Sequence, residues 1–210
     1  MTPAERKSLA EFLAAEDLYV YTVNAFPYGP FKGEIVMERV YEPDWTTDNR
    51  VNYTNSVADI LAEITPKHIN PSIQTAPLAF KPNVAGVEYV KTFTRNVFRV
   101  VAHLRALEER TGRRVKLAIE PEPACYLETT DETLEWFKDR VYSPAGVREL
   151  AEVANIPLSE AEGAIRRYLG IVFDIGHQSV GFENITDSLT KIVNAGIPIF
   201  KLQEAASLWV

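Results

Sequence analysis

Strand-like and helical segments alternate along the whole chain, and this order constrains the fold more than any other feature of the sequence. Five short apolar runs read as β-strands, and at least one helical stretch separates each from the next. The strand candidates are residues 18–23, 72–75, 115–119, 171–173 and 197–202. A connection that contains a helix returns the chain to the same end of the sheet, so successive strands pair in parallel through right-handed crossovers. The sequence therefore predicts an α/β fold with about five parallel strands and covering helices.

Capping residues mark where the helices begin and end. Thr2 and Pro3 start a first helix over about residues 3–15, and Thr47 caps a second that runs to about Ile64. A long helix from about residue 84 stops at Gly112. Further helical stretches cover about residues 131–140, 144–154, 159–169 and 184–194. No repeat, low-complexity tract or long linker interrupts this pattern, so we expect a single domain over residues 1–210.

Two architectures contain parallel strands: an open doubly wound sheet and a closed barrel. The open sheet usually carries a glycine-rich nucleotide loop after its first strand, and neither G-x-G-x-x-G nor G-x-x-x-x-G-K-[ST] occurs here. In a barrel, functional residues gather where several different strands end. Polar residues stand at or just past the ends of all five strand candidates: Asn24, Thr75, Glu120, Asp174 and Gln203. This distribution favours a (β/α) barrel.

The barrel is expected to be incomplete. A full eight-stranded barrel typically needs about 250 residues, whereas this chain has 210 residues and its last strand candidate lies close to the C-terminus. No helix follows that strand in the sequence. We expect a TIM-like partial barrel with two open edges, whose missing strands come from further sequence or from a partner chain.

Composition excludes several classes of protein. The formal net charge is -7 and no basic run is present, so we expect no nucleic-acid partner. No apolar run approaches the roughly 20 residues of a membrane span, and the charged N-terminal residues are unlike a signal peptide. The single cysteine, Cys125, excludes a disulfide framework and favours a reducing, cytoplasmic location. With no base beside it in sequence, Cys125 is expected to be an inert thiol. A small molecule is the expected partner.

The strongest local motif is I-V-F-D-I-G-H at residues 171–177. A buried strand delivers Asp174 at its end, and His177 follows three residues later across a glycine. A divalent ion is bound by carboxylate oxygens and imidazole nitrogens that converge on one point, and this spacing permits that. The alternative is structural: Asp174 caps the next segment and His177 is an ordinary loop residue.

A second carboxylate lies at the end of the preceding strand, in L-A-I-E-P-E-P at residues 117–123. Alternation places Glu120, and with it Glu122, on the face opposite Leu117 and Ile119. An inward carboxylate is costly unless it is paired or binds a cation. The alternative is a solvated glutamate at the strand terminus. Because Glu120 and Asp174 end consecutive strands, we expect them to be neighbours.

The last strand presents Lys201 and Gln203 on one face, while Phe200 and Leu202 share the other. The polar pair is expected to face the barrel interior. Gln203 could offer a carbonyl oxygen to a metal ion or hydrogen-bond to a substrate hydroxyl. Lys201 could polarise a carbonyl or stabilise an enolate. The alternative for Lys201 is a structural ion pair with a neighbouring acid.

Residues near the first strands are candidates for holding a ligand. Asn24 with Phe26 and Tyr28 resembles an apolar wall carrying one polar group. Thr75 and Glu122, at or beyond other strand ends, complete this predicted substrate-binding set. The alternative is ordinary packing at the rim of the barrel.

Together these residues resemble the xylose-isomerase-like TIM barrels. The resemblance is carried by L-A-I-E at one strand end, F-D-I-G-H at the next, and a polar strand after it. That superfamily includes sugar isomerases, ketose 3-epimerases and apurinic endonucleases. The resemblance implies that Glu120, Asp174 and His177 bind a divalent metal, either Mn²⁺, Mg²⁺ or Zn²⁺.

A further resemblance is to the EboE family of metabolite-traffic proteins. It is carried by the runs V-Y-T-V-N-A-F-P-Y-G (20–29), V-Y-E-P-D-W (40–45), S-I-Q-T-A-P-L (72–78), E-P-E-P (120–123) and K-L-Q (201–203). Members of that family are longer at both ends. The resemblance therefore implies that this chain lacks the first strand and the last two.

These likenesses leave two functions open. One is an EboE-type protein that handles and binds a small hydroxylated metabolite at a strand-end metal site. The other is a metal-dependent sugar or sugar-phosphate isomerase or epimerase, with Glu120 as general base. Epimerases of the superfamily carry a further metal histidine on the strand where Lys201 and Gln203 stand, and their second catalytic glutamate lies beyond Val210. Both differences favour binding without turnover, whereas the intact metal trio favours catalysis.

Overall fold

The computed structural model describes residues 1–28 and 40–206. It contains five strands: β1 (Thr22–Asn24), β2 (Ser72–Thr75), β3 (Lys116–Ile119), β4 (Leu169–Asp174) and β5 (Ile199–Gln203). They form one sheet in the order β1-β2-β3-β4-β5, and every neighbouring pair is parallel. The predicted incomplete α/β barrel is confirmed. The expectation that no helix follows the last strand concerns residues 207–210, which lie outside the described residues.

Helices connect and cover the strands. They are α1 (Pro3–Ala15), α2 (Asp48–Ile64), α3 (Gly86–Thr111), α4 (Thr130–Trp136), α5 (Pro144–Ala154), α6 (Leu158–Tyr168), α7 (Ile175–Val180) and α8 (Ile185–Asn194). A 3-10 turn (Lys81–Asn83) precedes α3, and a π-helical turn (Phe137–Val141) extends α4. The sequence did not predict α7, and β1 is shorter than the run 18–23.

The capping residues act as the sequence predicts. Thr2 forms a capping box with Glu5, and the side chain of Thr47 accepts a hydrogen bond from the backbone N–H of Arg50. Gly112 ends α3 in the left-handed region, at φ 68°. A left-handed residue of this kind favours glycine because a Cβ strains the backbone there.

The core lies between the outer face of the sheet and the helix layer. Leu117 and Ile119 of β3 point outward, as alternation predicts, and are fully buried in the same cluster as Phe93, Val97 and Leu104 of α3. The apolar positions of α3 recur every three or four residues, which gives this 26-residue helix one buried stripe. No helix in the described part of the chain is both long and apolar enough to cross a membrane.

A bulge shifts the pairing of β4 with β5. Ile171 pairs with Ile199, but Val172 pairs with Lys201, so Phe200 is an extra residue on β5. The sequence placed Phe200 on the outer face, and this is wrong. Its ring lies against Gly170, where an added Cβ would meet the ring at 2.8 Å, and Lys116 stands 5.0 Å above the ring. Phe200 therefore fills the barrel interior below Lys201.

Glu108 ties the end of α3 to α6. It accepts hydrogen bonds from Arg167 Nε at 2.9 Å and from the Tyr168 hydroxyl at 2.7 Å. Burial by itself would raise the pKa of Glu108, but these hydrogen bonds outweigh it and hold the pKa below its ordinary value. A carboxyl with a lowered folded-state pKa stabilises the fold above its unfolded pKa and loses that contribution as the pH falls.

We therefore expect Glu108→Gln to lower the free energy of unfolding at pH 7 by on the order of 1 kcal/mol after solvent screening. The difference from the wild type should shrink as the pH falls from about 6 towards 3, because the wild-type carboxyl is then protonated too. Urea unfolding at several pH values measures this difference. Glu109→Gln is the matched control, since Glu109 makes a more exposed pair with Arg105. A pH-independent effect of Glu108→Gln would contradict the assignment.

Candidate metal centre

Three potential ligands converge where β3 and β4 end. Glu120 directly follows β3, Asp174 is the last residue of β4, and His177 lies in the first turn of α7. One ligand atom from each lies within 4.8 Å of the others. Glu120 and Asp174 are each 3% exposed, and the His177 side chain is 30% exposed. The parallel pairing of β3 with β4 brings the two carboxylates together, as the sequence predicted.

His177 is held in a defined tautomer. Its Nδ1 lies 3.1 Å from the backbone carbonyl oxygen of Pro121, which can only accept a hydrogen bond. Nδ1 therefore carries a proton, so in the neutral imidazole Nε2 is the nitrogen that offers a lone pair. Nε2 lies 3.8 Å from Asp174 Oδ2. Nδ1 itself lies 3.8 Å from Glu120 Oε1. A histidine that donates one ring N–H to a backbone carbonyl and presents the other nitrogen to a carboxylate has the usual arrangement of a metal-binding imidazole.

Asp174 divides its two oxygens between two roles. Oδ1 accepts the backbone N–H of Gly176 at 2.7 Å and that of His177 at 3.3 Å, which caps α7. Oδ2 faces Gln203 and His177 instead. The capping role and the ligand role that the sequence left as alternatives are thus compatible in one side chain.

Lys201 and Gln203 of β5 reach the same cluster. Gln203 Nε2 donates to Asp174 Oδ2 and lies 3.5 Å from Glu120 Oε1. Gln203 Oε1 accepts from Lys201 Nζ at 2.8 Å. Lys201 also donates to Gln74 Oε1, and Gln74 Nε2 donates to Glu120 Oε2. The polar face of β5 thus points to the interior, where the sequence predicted it.

Sequence reasoning missed Gln74 and selected its neighbour Thr75. Along β2, Ser72 and Gln74 share the interior face, so alternation places Thr75 on the other face with Ile73. Thr75 is fully buried, and its hydroxyl has no hydrogen-bond partner among residues 1–28 and 40–206. It therefore does not contact the cluster. The signal that could have identified Gln74 is its polar side chain in the middle of a four-residue buried strand.

Burial dominates the electrostatics of the carboxylates. It raises the pKa of Glu120 to about 7, against the lowering effects of the Gln74 hydrogen bond and His177, and with further raising by Glu122 and Asp174. Burial also raises the pKa of Glu122, although the hydrogen bond from Tyr41 opposes it. The buried charge of an ionised Glu120 is therefore costly unless a cation or hydrogen-bond donors compensate it.

An aromatic cluster stands beside Glu122. The Tyr41 hydroxyl donates to Glu122 Oε1 at 2.8 Å, and its ring stacks on Phe80 at 5.6 Å and lies 5.5 Å from Phe26. Phe26 and Glu122, both predicted to bind substrate, therefore lie in one aromatic and carboxylate wall joined by Tyr41. Sequence reasoning did not select Tyr41 or Phe80.

The other two predicted ligand-binding residues have local partners. Asn24 is exposed, and its Oδ1 accepts the backbone N–H of Phe26 at 2.9 Å, which forms a turn after β1. Tyr28 is 45% exposed and packs edge-on against Tyr53 at 5.2 Å. Asn24 ends β1 and Tyr28 lies in the loop after it, and within residues 1–28 and 40–206 neither side chain hydrogen-bonds to Glu120, Asp174 or His177.

The donor set suits a divalent ion. Two carboxylates and one neutral imidazole nitrogen are ligands that Mn²⁺ and Zn²⁺ accept, whereas Mg²⁺ prefers oxygen ligands throughout. Gln203 stands at the fourth position, but it presents its nitrogen to the carboxylates, and it would have to turn to bind through Oε1. The residues therefore fit a metal ion with three protein ligands and leave room for a fourth.

Known structures share this fold. No family model matches the sequence, and a search of curated proteins finds no match either. Similar solved structures include a D-tagatose 3-epimerase-like protein, at 20% identity and TM-score 0.56, which covers 96% of this chain and 61% of its own. The IolI protein, solved with a zinc atom, has 15% identity and TM-score 0.50, and the match covers 94% of this chain and 55% of the IolI chain. The E. coli 3-keto-D-glucoside 4-epimerase YcjR has 11% identity and TM-score 0.48, and the match covers 96% of this chain and 77% of the YcjR chain.

These neighbours are xylose-isomerase-like TIM-barrel proteins, and at these identities the likeness concerns the fold. The chain spans 61% and 55% of the lengths of the first two. The likeness therefore agrees with a five-stranded part of such a barrel.

The environment of Cys125 predicts an unreactive thiol. Cys125 is fully buried, and burial raises the pKa of its thiol to about 12, with Glu122 adding to the effect. Only the thiolate attacks disulfide reagents, so we expect almost no labelling of the native protein at pH 8 and complete labelling in urea. Absorbance of the released thiolate measures the rate, with Cys125→Ser as the blank. Stoichiometric labelling of the native protein within minutes would contradict this environment.

Proposed function

We propose that this chain carries the metal centre of a metal-dependent isomerase or epimerase that acts on a small hydroxylated metabolite such as a sugar or sugar phosphate. One observation carries the proposal: Glu120, Asp174 and His177 meet at the carboxyl ends of neighbouring parallel strands, within 4.8 Å of one another. In barrels of this kind, catalytic groups gather at that end.

The solved neighbours support the same direction. One is described as D-tagatose 3-epimerase-like, and the IolI protein was solved with a zinc atom. Their fold places the ends of consecutive strands around one mouth, as in this chain. The metal of this chain is proposed to be Zn²⁺, Mn²⁺ or Mg²⁺, with Zn²⁺ and Mn²⁺ better matched to His177.

Each residue has a role in this proposal. Glu120, Asp174 and His177 hold the ion, and Gln203 completes the set through its carbonyl oxygen. Such an ion supplies a Lewis acid that polarises a substrate carbonyl and its neighbouring hydroxyl. Glu120 accepts the proton from the carbon next to the carbonyl and returns it to the rearranged substrate. Lys201 donates a hydrogen bond to the oxygen on which negative charge develops.

The wall beside the cluster would hold the substrate. Phe26 and Tyr41 offer apolar ring surface, and Glu122 offers a hydrogen-bond acceptor for a hydroxyl group. Asn24, at the end of β1, and Tyr28, in the loop after it, remain predicted substrate contacts. The buried position of Thr75 argues against direct contact between that residue and substrate.

Both sheet edges are proposed to be covered in the working protein. Within residues 1–28 and 40–206, β1 pairs only with β2, and β5 pairs only with β4. Unpaired parallel edges promote aggregation. Further segments of the protein, or a partner chain, would supply the remaining strands.

A second candidate is an EboE-type metabolite-handling protein that binds its ligand without turnover. It is favoured by Lys201 and Gln203, which stand on β5 where the epimerases of the superfamily are expected to carry a metal histidine. The cytoplasmic location expected from the single cysteine applies to both candidates and stays a prediction.

Metal binding tests the common premise. We expect the purified chain to bind about one Zn²⁺ or Mn²⁺, and Asp174→Ala and His177→Ala each to weaken binding by at least tenfold, because each removes a ligand. Calorimetry or elemental analysis after dialysis measures this. His103→Ala and Asp131→Ala are matched controls outside the cluster: His103 pairs with Asp59, and Asp131 with Lys191. If all four variants bound the ion as tightly as the wild type, the proposed metal centre would be wrong.

Exchange with solvent separates the two candidates. In D₂O with metal and a candidate ketose, we expect deuterium to enter the carbon next to the carbonyl, and Glu120→Gln to slow this by about 10²-fold or more. Nuclear magnetic resonance of the sugar measures the rate, with Glu109→Gln as the control. Tight ligand binding with no exchange above the protein-free rate would favour metabolite handling over isomerisation.

A further inference from the structure

We infer that Lys201 competes with the divalent ion for the same two carboxylates, through the side-chain amides of Gln74 and Gln203, and thereby sets the metal affinity of the site. The inference rests on the proposed metal centre. It assigns to the ammonium group the role of an internal cation whose charge and hydrogen bonds oppose the binding of the metal ion.

The connections run from one ammonium group to two carboxylates. Lys201 Nζ donates to Gln74 Oε1 and, at 2.8 Å, to Gln203 Oε1. The opposite ends of the same amides donate to Glu120 and Asp174. Each glutamine is thus a bridge with the ammonium on one side and a carboxylate on the other.

The chemistry of the end groups fixes the direction of both bridges. An ammonium group can only donate hydrogen bonds, and an ionised carboxylate can only accept them. The amide oxygens of Gln74 and Gln203 must therefore face Lys201, and their nitrogens must face Glu120 and Asp174. Reversing either amide would place like partners together at both ends.

N–H donors occupy all four carboxylate oxygens. Gln74 Nε2 faces Glu120 Oε2, and Gln203 Nε2 faces both Glu120 Oε1, at 3.5 Å, and Asp174 Oδ2. The backbone N–H groups of Gly176 and His177 in α7 donate to Asp174 Oδ1. Since Gln203 Nε2 stands between the two carboxylates, an ion that contacts both must displace it.

Displacing Gln203 has a consequence for Lys201. If the amide turns to offer Oε1 to the ion, its nitrogen faces Lys201, and the ammonium loses one of its two acceptors. Metal binding therefore costs Lys201 a charge-assisted hydrogen bond, and it also brings a second positive charge near the first. The freed N–H is then available to a substrate oxygen beside the ion.

The charge effect is large enough to measure. One amide group separates the ammonium from the carboxylate oxygens, roughly 5 Å by ordinary hydrogen-bond geometry. Even with the dielectric constant of water, a unit charge at such a distance weakens the binding of a dication by about tenfold. Removing the charge at position 201 should therefore tighten metal binding, whereas losing a ligand loosens it.

The test compares metal affinity and lysine reactivity. Mn²⁺ is titrated by electron paramagnetic resonance, and Zn²⁺ by competition with a chromophoric chelator. We expect Lys201→Met and Lys201→Gln to bind either ion about tenfold more tightly than the wild type, and Lys201→Arg, which keeps the charge, to stay within about threefold. Amine labelling of the wild type, followed at Lys201 by mass spectrometry, should be faster with metal bound than without it.

The controls separate this inference from its premise. Lys191→Met removes an exposed lysine paired with Asp131 and should leave the metal affinity unchanged. The unfolding midpoint of each metal-free variant shows whether it folds. Two neutral variants are used so that the test still stands if one of them does not fold. Wild-type binding that neither neutral variant tightens overturns the inference alone, as does labelling of Lys201 that metal slows or leaves unchanged. No metal binding by the wild type or by any variant overturns the proposed function and the inference together.

Discussion

Two carboxylates buried side by side at the ends of β3 and β4 impose the main constraint on the interior of this molecule. Isolated from water, Glu120 and Asp174 would repel each other and lose their hydration. The neighbouring elements supply hydrogen-bond donors to these carboxylates: β2 through Gln74, β5 through Gln203, and α7 through its backbone N–H groups. The same demand for positive charge is what makes the position suitable for a metal ion.

Alternation of helices and strands was enough to predict the architecture. Each crossover contains a helix, so parallel pairing followed, and with it the meeting of Glu120 and Asp174 at one edge. His177 was placed because it follows Asp174 by only three positions. Lys201 and Gln203 were placed because the two-residue period of a strand holds locally on β5 after Phe200.

Other features depended on information that is not local. Gln74 and Thr75 are consecutive residues of β2 and face opposite sides, and pairing with β3 shows that Gln74 shares the interior face with Ala118. The six residues of α7 are too few for a helical pattern, and its start depends on capping by Asp174. The inward position of Phe200 follows from pairing with β4, where Gly170 leaves space for the ring. Tyr41 joins the site through a contact with Glu122 across 81 positions of sequence.

The bulge on β5 accommodates one extra residue without changing which face the residues after it occupy. With Phe200 accommodated, Asp174 lies opposite Gln203. Deleting Phe200 would remove the bulge and leave Lys201 opposite Val172 and Gln203 opposite Asp174, whereas deleting Leu202, beyond the bulge, would turn Gln203 to the outer face and take its amide away from the acids. Insertions and deletions after the bulge are therefore as consequential as replacing a ligand, whereas at position 200 the chain can gain or lose a residue, so related chains must be aligned by counting residues back from Gln203 as well as by matching them.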